Sequence, residues 1–129
     1  MKKWSDGEGE EIFKFTSELT EAVKNGDETA TFRMESKNVA AGDIVEMWTR
    51  FDEHTTERFG YAKITGIKEM PLGEAPLAYP GHKTYASQES RLERYKQYYG
   101  DHVTLRSTLY IYDFEFLGDN REEDKEVAK

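Results

Sequence analysis

Residues 25–33 read Asn-Gly-Asp-Glu-Thr-Ala-Thr-Phe-Arg (NGDETATFR), and the parsing of this stretch decides the fold. A helix should end at Asn25, because Gly26 accepts the left-handed backbone that commonly follows a last helical turn. From Thr29 to Met34 the residues alternate as in a strand, which puts Thr31 and Arg33 on one face, two positions apart. The two side chains either sit on a solvated strand or project together into a cleft.

Upstream, Ile12 to Phe15 predicts a short strand running into a helix. Thr16 or Ser17 serves as its N-cap, Lys24 lies in its last turn, and Leu19 and Val23 form one apolar stripe. Downstream, a turn at Ala41-Gly42-Asp43 feeds a strand from Ile44 to about Phe51. The polar span Asp52 to Arg58 reads as a hairpin-like connection, and Phe59 to Ile67 as its partner strand. Lys68 to Thr84 holds all three prolines and reads as one long irregular loop, a kind of segment that often lies over a binding site. A second helix follows through SQESRLERYKQYY, with Leu92, Tyr95 and Tyr99 on its core face and Gly100 as its stop. One or two strands then run from His102 to Phe116, with both faces largely apolar. Helix, strands, helix, strands suits an α+β fold: a small, mostly antiparallel β-barrel with two main helices packed against it.

The 129 residues are enough for one domain with one core. Residues 1–11 read as a flexible arm, 12–117 as the domain, and 118–129 as a disordered charged tail. Aromatic residues make up 13% of the chain, so rings rather than aliphatics should fill the centre. The formal charge of -8 argues against a protein that coats nucleic acid with its whole surface, although a local basic cleft is compatible with it. With no cysteine, disulfides and thiolate metal sites are excluded. No apolar run approaches the roughly 20 residues of a membrane span, and the N-terminus lacks the apolar core of a signal peptide. The expectation is a cytoplasmic protein, monomeric by default, with no membrane association.

In order, these pieces resemble the ASCH domains, a branch of the PUA-like barrels, which carry Gly-x-Lys-x-x-Glu-x-Arg just after the first helix. Gly26 and Arg33 match the ends of that pattern. Gly42-Asp43-Ile44 matches a following turn, and TLYIYDFEFL the closing aromatic strand. The bacterial acetylcytidine amidohydrolases of this family read Gly-x-Lys-x-x-Thr-x-Arg, and they use the Lys, the Thr and a later Glu to remove an acetyl group from the nucleoside. Thr31 and Arg33 match this version. Glu28 stands where the pattern has Lys, a charge reversal that disfavours amidohydrolase activity.

The resemblance implies that Arg33 is a pocket residue whose guanidinium fork suits phosphate or a base edge; spacing alone fits equally a surface Arg paired with Glu28, Glu35 or Asp43. Thr31 is a second ligand contact or a nucleophile, or else β-branched filler. Glu28 is a general base in a closed cleft, or a solvated turn acid beside Asp27. Residues 81–106 hold five basic against three acidic side chains, interleaved with tyrosines. That is the composition of a single-stranded nucleic-acid surface, so Lys83, Arg91, Arg94 and Tyr98 join the ligand-binding set. The bland alternative is a tyrosine core face beneath a solvated charged one. His54, His82 and His102 lack metal-ligand spacing, although His82 could reach the cleft from the long loop. Neither metal nor cofactor is expected. The first functional expectation is a module binding RNA or a nucleotide or nucleoside between the first helix and the barrel. A hydrolase acting on a modified nucleoside or RNA is the alternative, and a protein-interaction scaffold the third.

Overall fold

Alternation of more and less buried side chains marks the strand Ile12–Thr16 and the first part of Ile44–Asp52, whereas Ala30–Arg33 is buried on both faces, in the computed structural model, which describes residues 11–82 and 84–119. The elements are β1 (Ile12–Thr16), α1 (Ser17–Lys24), β2 (Ala30–Arg33), β3 (Ile44–Asp52), β4 (Thr55–Pro71), a 3-10 turn (Leu72–Glu74), α2 (Gln88–Tyr99) and β5 (Thr108–Gly118). One curled five-stranded sheet has the order β1-β3-β4-β5-β2. The β1–β3 pair is parallel and the other three pairs are antiparallel. The curl makes a half-barrel whose two free edges are β1 and β2, and the expected α+β barrel with two main helices is what the chain forms.

Local chemistry sets the element ends. Thr16 caps α1 by accepting from the Leu19 N–H at 3.2 Å. Gly26 takes φ +88° after the Asn25 C-cap, as the opening stretch requires. Ser87 and Ser90 form a reciprocal capping box at the start of α2.

Two expectations are corrected. The polar span 52–58 is mostly strand, because the ladder continues through Trp48↔Arg58 to Asp52↔Thr55 and leaves a two-residue turn at Glu53 and His54. Backbone pairing needs no apolar side chains, and Thr55 and Thr56 suit an exposed strand. The long loop is also shorter than expected. β4 extends to Pro71, with Lys68, Glu69 and Met70 facing Ile111, Tyr110 and Leu109 of β5. The expected arm and tail lie outside the described residues, apart from Glu11, Gly118 and Asp119.

Two apolar clusters occupy the two faces of the sheet. Phe13, Phe15, Val23, Val45, Met47, Ile64 and Phe114 fill the inside of the curl, with α1 packed on it. Phe32, Leu72, Tyr95, Val103, Leu109 and Ile111 form the second cluster, under α2 and the 72–87 connection. Leu92 and Tyr99 pack against Tyr95 as the helical spacing predicts. Among the described residues, no helix is long and apolar enough to cross a membrane.

Candidate functional site

β2 contributes to both clusters, and this answers the opening question. Ala30 and Phe32 point into the second cluster, so Thr31 and Arg33 must point to the opposite face, toward β1. Thr31 is buried, and its Oγ1 accepts from Arg33 Nε at 2.9 Å. Arg33 Nη2 donates to the Lys14 carbonyl on β1, also at 2.9 Å. The guanidinium lies 5.4 Å from the Phe13 ring centroid and 5.0 Å from that of Phe15, within cation–π range. Lys37, just beyond β2, repeats the arrangement: Nζ donates to the Ile12 carbonyl at 2.8 Å and lies 5.0 Å from the Phe13 centroid. The two free edges of the half-barrel are thus bridged by cations instead of a backbone ladder.

Burial holds the Arg33 guanidinium below its ordinary pKa, partly offset by Tyr99, Tyr95, Tyr112 and Glu35. A guanidinium remains charged under such a shift. The Lys37 ammonium is also held below its usual range, by burial first and by the Arg33 charge second.

A cavity of about 190 Å³ opens beside this seam. Its floor and polar wall hold Thr31, Arg33, Glu28 and His82, and its aromatic wall holds Tyr85, Tyr95, Tyr98 and Tyr99. Phe15 and Leu19 come from the inner cluster, Phe32 and Tyr95 from the outer, so the cavity lies where the two meet. A second cavity of about 450 Å³ shares Lys14, Phe15, Thr16, Arg33, Tyr98 and Tyr99 with the first. It adds Lys37, Arg50 and Glu35, giving four cations against one carboxylate.

The 72–87 connection delivers His82. Gly81 takes φ +79°, and its carbonyl accepts from the Thr29 and Ala30 N–H groups at 2.7 and 3.2 Å. The loop is thereby tied to the start of β2, and His82 stacks on Phe32 with centroids 4.0 Å apart. His82 Nε2 then lies 3.8 Å from Glu28 Oε2, both side chains being almost wholly buried. Glu28 is therefore no solvated turn acid. Farther along the sheet, Lys68 and Asp113 hold the Tyr79 hydroxyl, and Tyr79 packs edge-on against Phe32.

The candidates from the second helix divide. Tyr98 lines both cavities and is 62% exposed, so a ligand can reach it. Arg91 does not reach either cavity. It is wholly buried, and its guanidinium donates to the carbonyls of Leu72, Ala75 and Pro76 at 2.7 to 3.0 Å. Its side chain clamps the connection because these carbonyls turn inward outside the sheet ladder, with a backbone N–H, that of Ala75, also reaching Leu72. Arg94 is exposed, reaches toward the Tyr98 hydroxyl at 3.4 Å, and lines a separate shallow depression with Thr84 and Ser90. Lys83 lies outside the described residues.

Sequence reasoning missed Lys14, Lys37 and Arg50. Lys14 had a signal, since it interrupts two buried phenylalanines on a strand and so must leave the core face. Lys37 and Arg50 had none, because only the pairing of β1 with β3 brings Arg50 opposite Thr16. Among the described residues, no cluster of His, Asp and Glu could hold a metal ion.

No protein-family model matches the sequence, and no curated protein matches it. Solved structures do. A protein of Enterococcus faecalis V583 from family DUF984 superposes with TM-score 0.63 at 17% identity, over 84% of this chain and 80% of its own. ASCH from Zymomonas mobilis superposes with TM-score 0.54 at 16% identity, over 90% of this chain and 76% of its own. At such low identity the likeness is one of architecture alone, and the chain has an ASCH-like fold.

Proposed function

We propose that the protein binds single-stranded RNA, or a nucleotide taken from it, with a base in the inner cavity and the backbone across the outer one. One observation carries this reading: Arg33 stands at the junction of an aromatic cavity and a cationic one. Tyr98 and Tyr99 offer faces for stacking, which is worth about 1–3 kcal/mol per base. Lys14, Lys37 and Arg50 offer charge to phosphates. Glu28 would repel a phosphate, but it lines the inner cavity alone, where a base would lie. In a chain of net charge -8, a groove with four cations and one carboxylate gives a polyanion a local place to bind.

Fluorescence anisotropy with a short labelled single-stranded RNA tests the proposal. Binding should weaken with salt, and both Lys14→Glu and Tyr98→Ala should lower affinity at least several-fold. Both side chains are exposed, so the fold survives either change. Equal affinity in wild type and both variants would contradict it.

A hydrolase is the second reading, favoured by the Glu28–His82 pair beside the Thr31 hydroxyl in one cavity. A nucleophilic hydroxyl needs a base, and a base needs an orienting partner. Incubation with acetylated cytidine and with short RNA decides it. Release of acetate or of cleaved RNA that is lost in His82→Ala would support it, and no product with either substrate would remove it.

A further inference from the structure

We infer that the inner cavity selects guanine, and that Glu28 is the residue that reads it. The inference rests on the nucleotide-binding reading above and names the base. Glu28 is 6% exposed and is the sole carboxylate among the described residues lining the cavity. An ionised carboxylate only accepts hydrogen bonds, so a base pressed against it must present donors. Guanine alone among the four RNA bases places two donors side by side on one edge, the N1–H and the N2 amino group. Those two match the two carboxylate oxygens. Cytosine and adenine each set an amino group beside a ring-nitrogen lone pair, and uracil sets its single N–H between two carbonyls. Each of these turns a lone pair toward the second oxygen.

The rest of the cavity agrees in sense. A guanidinium donates to guanine O6 or N7, and Arg33 supplies one from the same wall. The tyrosine wall accepts either face of a purine. A carboxylate has about four acceptor sites, so it can hold a partner within the protein, such as His82, and accept from a ligand as well.

Calorimetric titration with guanosine, adenosine, cytidine and uridine monophosphates tests the inference, with inosine monophosphate as a fifth ligand and Glu28→Gln as the variant. Guanosine monophosphate should bind about ten-fold or more tighter than the other three standard nucleotides. Inosine monophosphate keeps the N1–H but lacks the N2 amino group, and it should lose several-fold. Glu28→Gln should abolish the preference while binding the other nucleotides at least as well. Equal affinity for all four would overturn guanine selection and leave nucleotide binding standing. Binding of none would overturn both. A guanine preference that survives Glu28→Gln would remove Glu28 from the role. The inosine comparison uses wild-type protein, so the outcome stands even if the variant folds poorly.

Discussion

Arg33 on one free edge of the half-barrel donates to the main-chain carbonyl of Lys14 on the other, at 2.9 Å. The same guanidinium holds the Thr31 hydroxyl and lies over two buried rings. One side chain thus closes the seam and lines both cavities. Arg33→Lys should show that the fork matters as well as the charge. A single ammonium cannot reproduce the spread of those donors. The expected loss is roughly 1–3 kcal/mol of stability, read from urea denaturation, because hydrogen bonds from a charged donor are the ones removed. Arg33→Ala should lose at least as much.

Arg91 should prove a structural residue despite its place in a basic helix. Arg91→Ala removes the guanidinium from three inward-turned carbonyls, of which that of Leu72 keeps the Ala75 N–H, and a loss of about 3 kcal/mol or more is expected in thermal or urea unfolding. Amide exchange should quicken across residues 72–82, which those bonds restrain. An exposed, dispensable Arg would show neither change.

Gly81→Ala should destabilise the loop that carries His82. The φ of +79° is strained for any side chain, and a Cβ there would run into Thr29 Oγ1. A cost of about 1–3 kcal/mol follows, together with weaker nucleotide binding as His82 leaves the cavity wall. Gly26→Ala is the control: it too has a positive φ, but nothing stands within 4 Å of its Cβ, so the variant should lose less stability and keep its binding.

Stability should fall in alkali. Burial pushes the Tyr95 hydroxyl far up, with Tyr85 adding to it, and Tyr85 and Tyr112 are raised by burial too. The folded state therefore holds its phenolic protons at pH values where the unfolded chain, with a tyrosine pKa of about 10, has released them. Stability from these groups is fully present below about pH 10 and declines as pH rises beyond it. Urea midpoints measured from pH 8 to 11 should show the decline, and Tyr95→Phe should make it shallower.

The turn at Asn25-Gly26, the strand after it and the shared face of Thr31 and Arg33 were legible in the sequence, because glycine placement and alternation are local signals. Both helices were legible for the same reason. The seam was not: it depends on β1 pairing in parallel with β3, a long-range choice that no local pattern encodes. Arg91 misled because a charged residue one position before Leu92 reads as solvated until the inward carbonyls of the connection are known. Glu28 misled in the same way. Only the return of the loop at Gly81, bonded to Thr29 and Ala30, buries it against His82.

Chemical-shift mapping of the labelled protein with a short guanine-containing single-stranded RNA tests most directly whether the Arg33 seam is the binding site. Signals of Lys14, Thr31, Arg33, Lys37, Tyr98 and Tyr99 should move together on titration, and Arg33→Lys, where folded, should blunt them all. Shifts confined to another face, with this seam unmoved at saturating RNA, would contradict it.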